Sequence, residues 1–187
     1  QCLIKMKQVG LRFRTWGGAR KGAGRKRVAA RGRVLHRTRP VLQARFPVHV
    51  TWRMRVSGLR TRRCFRALAR AFRGGADRFG FRLVHYSVQG NHVHLLVEAE
   101  SERSLSRGMN GLAVRVAKGI NRVLGRSGKV LEDRYHGHIL RTPTEVRHAR
   151  NYLLQNAGRH VGLRGVDPFA SRVAVMAPRT FVMRRVC

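Results

Sequence analysis

The stretch FRLVHYSVQGNHVHLLVEA, residues 81–99, decides the fold. Residues 81–88 and 92–99 are rich in β-branched, aromatic and aliphatic side chains, and the turn-forming Gln89-Gly90-Asn91 separates them. Two apolar runs joined by a short polar turn are typical of a β-hairpin. The sequence therefore predicts two adjacent antiparallel strands at the centre of the chain.

The second strand of this hairpin carries His92 and His94. Side chains two residues apart on a strand project from the same face, so both imidazoles point together while Val93 points into the core. Two neutral imidazoles in that arrangement can share one divalent metal ion. The same spacing recurs in His136 and His138, but the glycine between them cannot anchor that pair in a core. We expect this second pair to contact metal ligands or phosphate instead.

Apolar periodicity on both sides of the hairpin predicts the remaining elements. In chain order they are a strand at 46–54, a helix at 65–79 that continues through the glycine pair at 74–75, the hairpin, a helix at 101–124, a strand at 135–141 and a helix at 142–158. The order β-α-β-β-α-β followed by a helix predicts an α+β, ferredoxin-like fold. This is an antiparallel sheet with helices on one face, plus a C-terminal helix.

The predicted C-terminal helix carries a polar row of Tyr152 and Asn156, with His148 one turn earlier. Residues four apart share a helix face, so this row could present a phenol and an amide to a metal held by His92 and His94. A phenol attacks a phosphodiester when a metal polarises the phosphate. The alternative is a half-buried structural tyrosine whose hydroxyl reaches solvent.

Composition predicts a nucleic-acid partner. The 187 residues include 41 Lys and Arg against 8 Asp and Glu, a formal charge of +33, and such a field attracts phosphate backbones. Eight scattered carboxylates do not form the cluster that a two-metal nuclease needs, and three scattered cysteines indicate neither a zinc ribbon nor a disulfide framework. Because no apolar run is long enough to cross a membrane, we expect no membrane partner.

We expect three regions along the chain. Residues 1–40 are predicted to be a basic, disordered tail that contacts DNA, residues 41–160 a folded domain, and residues 161–187 a basic C-terminal extension. The tail and one face of the helix at 101–124 supply the predicted DNA-binding residues, which are Arg20, Lys21, Arg25, Lys26, Arg27, Arg31, Arg33, Arg107, Arg115, Lys118 and Arg122.

Four segments resemble the HUH single-strand endonucleases, in the form found in insertion-sequence tyrosine transposases and their REP-associated relatives. SVQGNHVHLLVE (87–98) is similar to the His-hydrophobe-His strand, EDRYHGHILR (132–141) to the following strand, ARNYLLQNAGRH (149–160) to the nucleophile helix, and GGARKGAGRKR (17–27) to the basic leader. The resemblance makes residues 41–160 an HUH-type catalytic domain. The chain departs from many relatives where Ala157 replaces a proline and where Gln89-Gly90 replaces Met-Pro.

The resemblance implies a metal-dependent enzyme that nicks and joins DNA. His92, His94 and Asn156, with Gln155 as a substitute for the amide, would hold one Mg²⁺ or Mn²⁺. Tyr152 would attack a phosphate in single-stranded DNA, leaving a 5′-phosphotyrosine link and a free 3′-OH that permits rejoining. The expected substrate contains hairpin or palindromic elements, and the protein would act in the bacterial cytoplasm, at the nucleoid, as a monomer or homodimer.

A binding module without catalysis is the alternative. The same order of elements occurs in RNA-recognition modules, so order alone does not choose the function. On this interpretation the chain is a domesticated transposase that only binds hairpins, or an RNA-recognition-like sheet. Trp52 and Tyr86 are the aromatic residues that would then stack on bases.

Overall fold

The computed structural model describes residues 41–161, 167–171 and 174–184, without the side chains of 156–161, 181 and 182. The predicted tail at 1–40 lies outside the described residues. The elements in chain order are β1 (Val48–Arg53), α1 (Arg62–Gly74), β2 (Asp77–Arg78), β3 (Phe81–Val88), β4 (His92–Ala99), α2 (Glu102–Leu124), β5 (His136–Ile139), α3 (Pro143–Val161) and α4 (Phe181–Arg184). None of the described helices is long and apolar enough to cross a membrane.

The strands form one antiparallel sheet in the order β2-β3-β4-β1-β5. The predicted hairpin at 81–99 is present as β3 and β4, and its turn is closed by Gln89 N–H donating to the carbonyl of His92 at 2.8 Å. Strand β4 lies at the centre, between β3 and β1. The α+β, ferredoxin-like prediction is confirmed.

Helices α1 and α2 cover one face of the sheet and enclose the main core. Leu68 and Phe72 of α1 pack there with Leu112 of α2, and each is fully buried. Burying side chains of this size contributes about 1.5–3 kcal/mol each. Helix α2 lies so close to the sheet that a Cβ on Gly108 would come within 2.1 Å of the Phe81 ring, so glycine is required at this crossing.

The prediction that α1 continues through the glycine pair to residue 79 is wrong. The helix ends at Gly74, and the N–H of Gly75 donates to the carbonyl of Phe72 at 3.2 Å. Glycine loses more backbone entropy in a helix than any other residue, and two in succession favour termination. The chain turns there into β2, so Phe79 leaves the helical stripe and is 63% exposed.

The second face of the sheet is covered by α3 and by the C-terminal segment. Leu153 of α3 packs against Val84 and Leu96, and all eight residues of β3 are buried. Ser171 N–H donates to the carbonyl of Tyr86 at 2.9 Å. The C-terminal segment comprises residues 167–171 and 174–184, and its residues 169–171 and 174–175 therefore run along the edge of β3. Met183 and Ala174 pack in the same cluster as Leu153.

A buried ion pair anchors the start of the C-terminal segment. The guanidinium of Arg60 donates to both carboxylate oxygens of Asp167, at 2.7 and 2.9 Å, and the Asp167 side chain is fully buried. Arg60 also donates to the carbonyl of Val88 and lies 4.5 Å from the ring of Phe169. These contacts connect the loop before α1, the end of β3 and the C-terminal segment.

Candidate active site

His92 and His94 lie at the start of the central strand, on the face that α3 covers. Their ring centroids are 4.9 Å apart and the rings are perpendicular. His94 is 5% exposed, whereas His92 is half-buried and its Nδ1 lies 2.9 Å from the Asn91 Oδ1. The strand thus directs both imidazoles to one face, as its period of two requires.

Tyr152 reaches this pair from α3. Its hydroxyl lies 3.5 Å from Nε2 of His94, and the two ring centroids are 5.0 Å apart. The helix starts at Pro143 with a capping box, in which Glu145 N–H donates to Thr142 Oγ1 and the Glu145 carboxylate accepts from Thr142 N–H. Leu153 is buried between α3 and the sheet. Its neighbour Tyr152 is half-buried and lies beside His94.

Two residues of β1, His49 and Thr51, also contact His94, and the sequence did not predict their role. Nδ1 of His94 lies 3.2 Å from Thr51 Oγ1 and 3.3 Å from Nε2 of His49. The ring centroid of His49 is also 6.1 Å from that of Tyr152. Alternation along β1 places His49 and Thr51 on the face opposite Val48, Val50 and Trp52. The pairing of β1 with β4, which brings them to His94, is a tertiary property.

The imidazole of His49 is neutral at physiological pH. Burial lowers its pKa from 6.5 to about 4, and the nearby charges of His138 and His136 act in the same direction. A neutral imidazole has one nitrogen that accepts a hydrogen bond and one that donates. His49 Nε2 can therefore accept a hydrogen bond from His94 Nδ1–H, as Thr51 Oγ1 can. In that arrangement Nε2 of His94 directs its lone pair towards the Tyr152 hydroxyl.

The other predicted site residues lie around this centre. His136 and His138 are exposed on β5, where they pair in register with Thr51 and His49. His148 and Gln155 are exposed on α3. Asn156 is on α3 one turn beyond Tyr152, and its side chain lies outside the described part of the structure.

The donor atoms around His94 decide whether a divalent metal ion fits this site. Among the described residues, no group of three or more His, Cys, Asp or Glu is arranged to hold a metal. The imidazoles of His92 and His94 nevertheless lie on one face beside the Tyr152 hydroxyl, and their nitrogens suit transition-metal ions better than Mg²⁺, which prefers oxygen donors. The donors fit a divalent metal ion if an amide or phosphate oxygen completes the set.

The solvent-exposed sides of α1 and α2, on the sheet face opposite α3, are rich in arginine. On α2, Arg107, Lys118 and Arg122 are exposed and Arg115 is half-buried, whereas the seven predicted DNA-binding residues of the tail (Arg20, Lys21, Arg25, Lys26, Arg27, Arg31, Arg33) lie outside the described residues. Helix α1 contains no acidic residue and adds five exposed arginines, which are Arg62, Arg63, Arg66, Arg70 and Arg73. These arginines occupy the α1 positions between the apolar residues, and that spacing is the sequence signal that could have identified them.

The aromatic residues of the RNA-recognition alternative are not available for stacking. Trp52 is 3% exposed and Tyr86 is 8% exposed, and both lie in the core beneath α1 and α2. Their strands alternate so that these rings face the helices, not an open sheet surface. Base stacking by Trp52 and Tyr86 is therefore excluded in this fold.

Comparisons with known proteins find a similar fold and a matching family. A solved REP-associated tyrosine transposase bound to a REP hairpin has a similar structure, with a TM-score of 0.51 and 15% sequence identity over 79% of this chain and 96% of that chain. No curated protein matches the chain significantly in sequence. The family model described as "Transposase IS200 like" matches residues 43–158, well over half of the chain. The chain therefore belongs to the IS200-like transposase family.

Proposed function

We propose that the chain nicks and rejoins single-stranded DNA through a covalent bond to Tyr152. The observation that carries the proposal is the 3.5 Å contact between the Tyr152 hydroxyl and Nε2 of His94. The Tyr152 ring packs beside the core cluster of Leu153, while its hydroxyl lies at the His94 imidazole, where it could serve as the nucleophile that strand cleavage requires.

In the proposed reaction the Tyr152 oxygen attacks the phosphorus of a phosphodiester. The bond from oxygen to phosphorus forms, and the bond from phosphorus to the 3′ oxygen of the preceding nucleotide breaks. The phenol loses its proton and the departing 3′ oxygen gains one, which leaves a 5′-phosphotyrosine link and a free 3′-OH. Attack by a 3′-OH on the same phosphorus reverses these steps and joins two strands.

His92 and His94 would hold one Mg²⁺ or Mn²⁺, with Asn156 or, in its place, Gln155 as the third protein ligand. When bound, the ion supplies Lewis-acid polarisation of the scissile phosphate. The chain's own contribution is to hold the imidazoles rigidly on β4. Thr51 supports this by accepting a hydrogen bond from Nδ1–H of His94, so that Nε2 would be the coordinating atom.

The proposed substrate is single-stranded DNA with hairpin or palindromic elements. The solved transposase of similar fold is bound to a REP hairpin, and the charge of +33 favours any phosphate backbone. The exposed arginines of α1 and α2 would hold DNA, and we propose that the exposed His136, His138 and His148 contact phosphate. We propose that the protein acts in the bacterial cytoplasm, at the nucleoid, as a monomer or homodimer.

Covalent capture tests the proposal directly. The full chain is incubated with labelled hairpin oligonucleotides that carry single-stranded flanks, with Mg²⁺, with Mn²⁺ or with a chelator, and denaturing gels detect protein joined to DNA. We expect a metal-dependent adduct that maps to Tyr152 by mass spectrometry and is absent in Tyr152→Phe. Tyr135→Phe is the matched control and retains the adduct. Adduct formation by Tyr152→Phe would refute the assignment, and hairpin binding without any adduct would favour the non-catalytic alternative.

A further inference from the structure

The turn between β2 and β3 contains a phenylalanine in a backbone conformation that is unfavourable for this residue type. Arg78 pairs with Phe81 across the turn, and both central residues have positive φ, 54° for Phe79 and 73° for Gly80. Two-residue hairpin turns with positive φ at both positions favour asparagine, aspartate or glycine, and a bulky residue there is a steric outlier. Phe79 is the one described non-glycine residue with positive φ.

The side chain of Phe79 is also exposed, so burial does not offset this cost. The ring is 63% exposed, and the guanidinium carbon of Arg107 lies 4.6 Å from its centroid. A turn position that disfavours phenylalanine therefore holds an aromatic ring in water, with a cation on one side.

A small basic cavity adjoins the ring. It has a volume of about 100 Å³ and is lined by Phe79, Leu112, three glycines and three arginines, namely Arg78, Arg107 and Arg115. No acidic residue lines it, although the Glu100 carboxylate lies beside Gly80 of the turn. An aromatic face next to several guanidinium groups matches the two parts of a nucleotide, a base that stacks and a phosphate that carries negative charge.

We propose that Phe79 and the arginines around it bind an unpaired nucleotide of single-stranded DNA, with the base stacked on the Phe79 ring and its phosphate held by Arg107 and Arg115. The inference rests on the proposed action on DNA and adds a second contact point to it. Phe81 pairs with Ala99, five residues along β4 from His94, so the turn lies about 17 Å along the strand from His94 at about 3.3 Å per residue, and farther from His92. The nucleotide held here is therefore not the one that is cleaved.

Phe79→Asn tests the site, because asparagine suits the turn and removes the ring. Fluorescence anisotropy of the full chain is measured with a labelled 12-nucleotide oligo-dT strand and with a blunt duplex of equal length. We expect binding of the single strand to weaken about tenfold or more, duplex binding to stay within about twofold, and the melting temperature not to fall. Phe79→Tyr should bind like the original chain, as should Val114→Gln, which removes another exposed apolar side chain.

Three outcomes would overturn the inference. They are unchanged single-strand binding in Phe79→Asn, an equal loss for the single strand and the duplex, and self-association that depends on Phe79 while DNA binding does not. Covalent capture is scored separately on the same proteins. If Tyr152→Phe still forms the adduct while Phe79→Asn loses single-strand affinity, the proposed nucleophile fails and the nucleotide site stands.

Discussion

Lowering the pH from 7 to 5 should destabilise the fold through His85. This side chain is 2% exposed on β3, and its Nδ1 lies 3.1 Å from Ser171 Oγ of the C-terminal segment. Burial lowers the pKa of His85 from 6.5 to about 4, and the positive charge of Arg150 acts in the same direction. The unfolded chain regains the ordinary pKa, so it binds more protons than the folded chain between these two values.

The size of the effect follows from the two pKa values. Stability is fully present above pH 6.5 and declines as the pH falls through 6.5 towards 4, because the unfolded state is protonated first. Each pKa unit corresponds to about 1.36 kcal/mol. A pH of 5 lies about 1.5 units below the pKa of His85 in the unfolded chain. Protonation of His85 alone should therefore lower the free energy of unfolding by about 2 kcal/mol relative to pH 7.

Urea denaturation monitored by circular dichroism measures this contribution. The original chain, His85→Gln and His148→Gln are each unfolded at pH 7 and at pH 5, and linear extrapolation gives the free energy of unfolding. Glutamine does not titrate, so His85→Gln should lose about 2 kcal/mol less on acidification than the original chain. The exposed His148 should make no difference when replaced. An equal loss in His85→Gln and the original chain would refute the reasoning.

Thr51→Val removes the hydroxyl 3.2 Å from His94 Nδ1 at nearly constant volume, and we expect metal affinity and the single-turnover rate of adduct formation to fall about tenfold or more with folding retained. A rate that is unchanged at every metal concentration would mean that Thr51 does not orient His94. Asp167→Ala leaves the guanidinium of Arg60 without its bidentate partner, and we expect the free energy of unfolding to fall by about 3 kcal/mol or more in urea. A loss below about 1 kcal/mol would show that the pair is exposed enough for water to replace the carboxylate.

The local signals in the sequence predicted the elements well where one physical cause dominated. The 81–99 hairpin combines two apolar runs with a polar turn, and α3 begins at Pro143, one residue after the predicted start. The end of α1 was predicted wrongly because the apolar spacing continued past Gly74. Only the pairing of β2 with β3 decides that Ala76 packs in the core outside the helix while Phe79 faces solvent.

The sequence by itself determined that two imidazoles on one strand share a face, and that Tyr152 lies on a helix whose apolar side must pack. Both follow from the periods of strands and helices, which are properties of neighbouring residues. Only the tertiary structure decided that α3 lies over β4 with the Tyr152 hydroxyl at His94, and that β1 brings His49 and Thr51 to the other nitrogen. Strand order and helix docking depend on contacts between distant segments, and no local pattern encodes which segments meet.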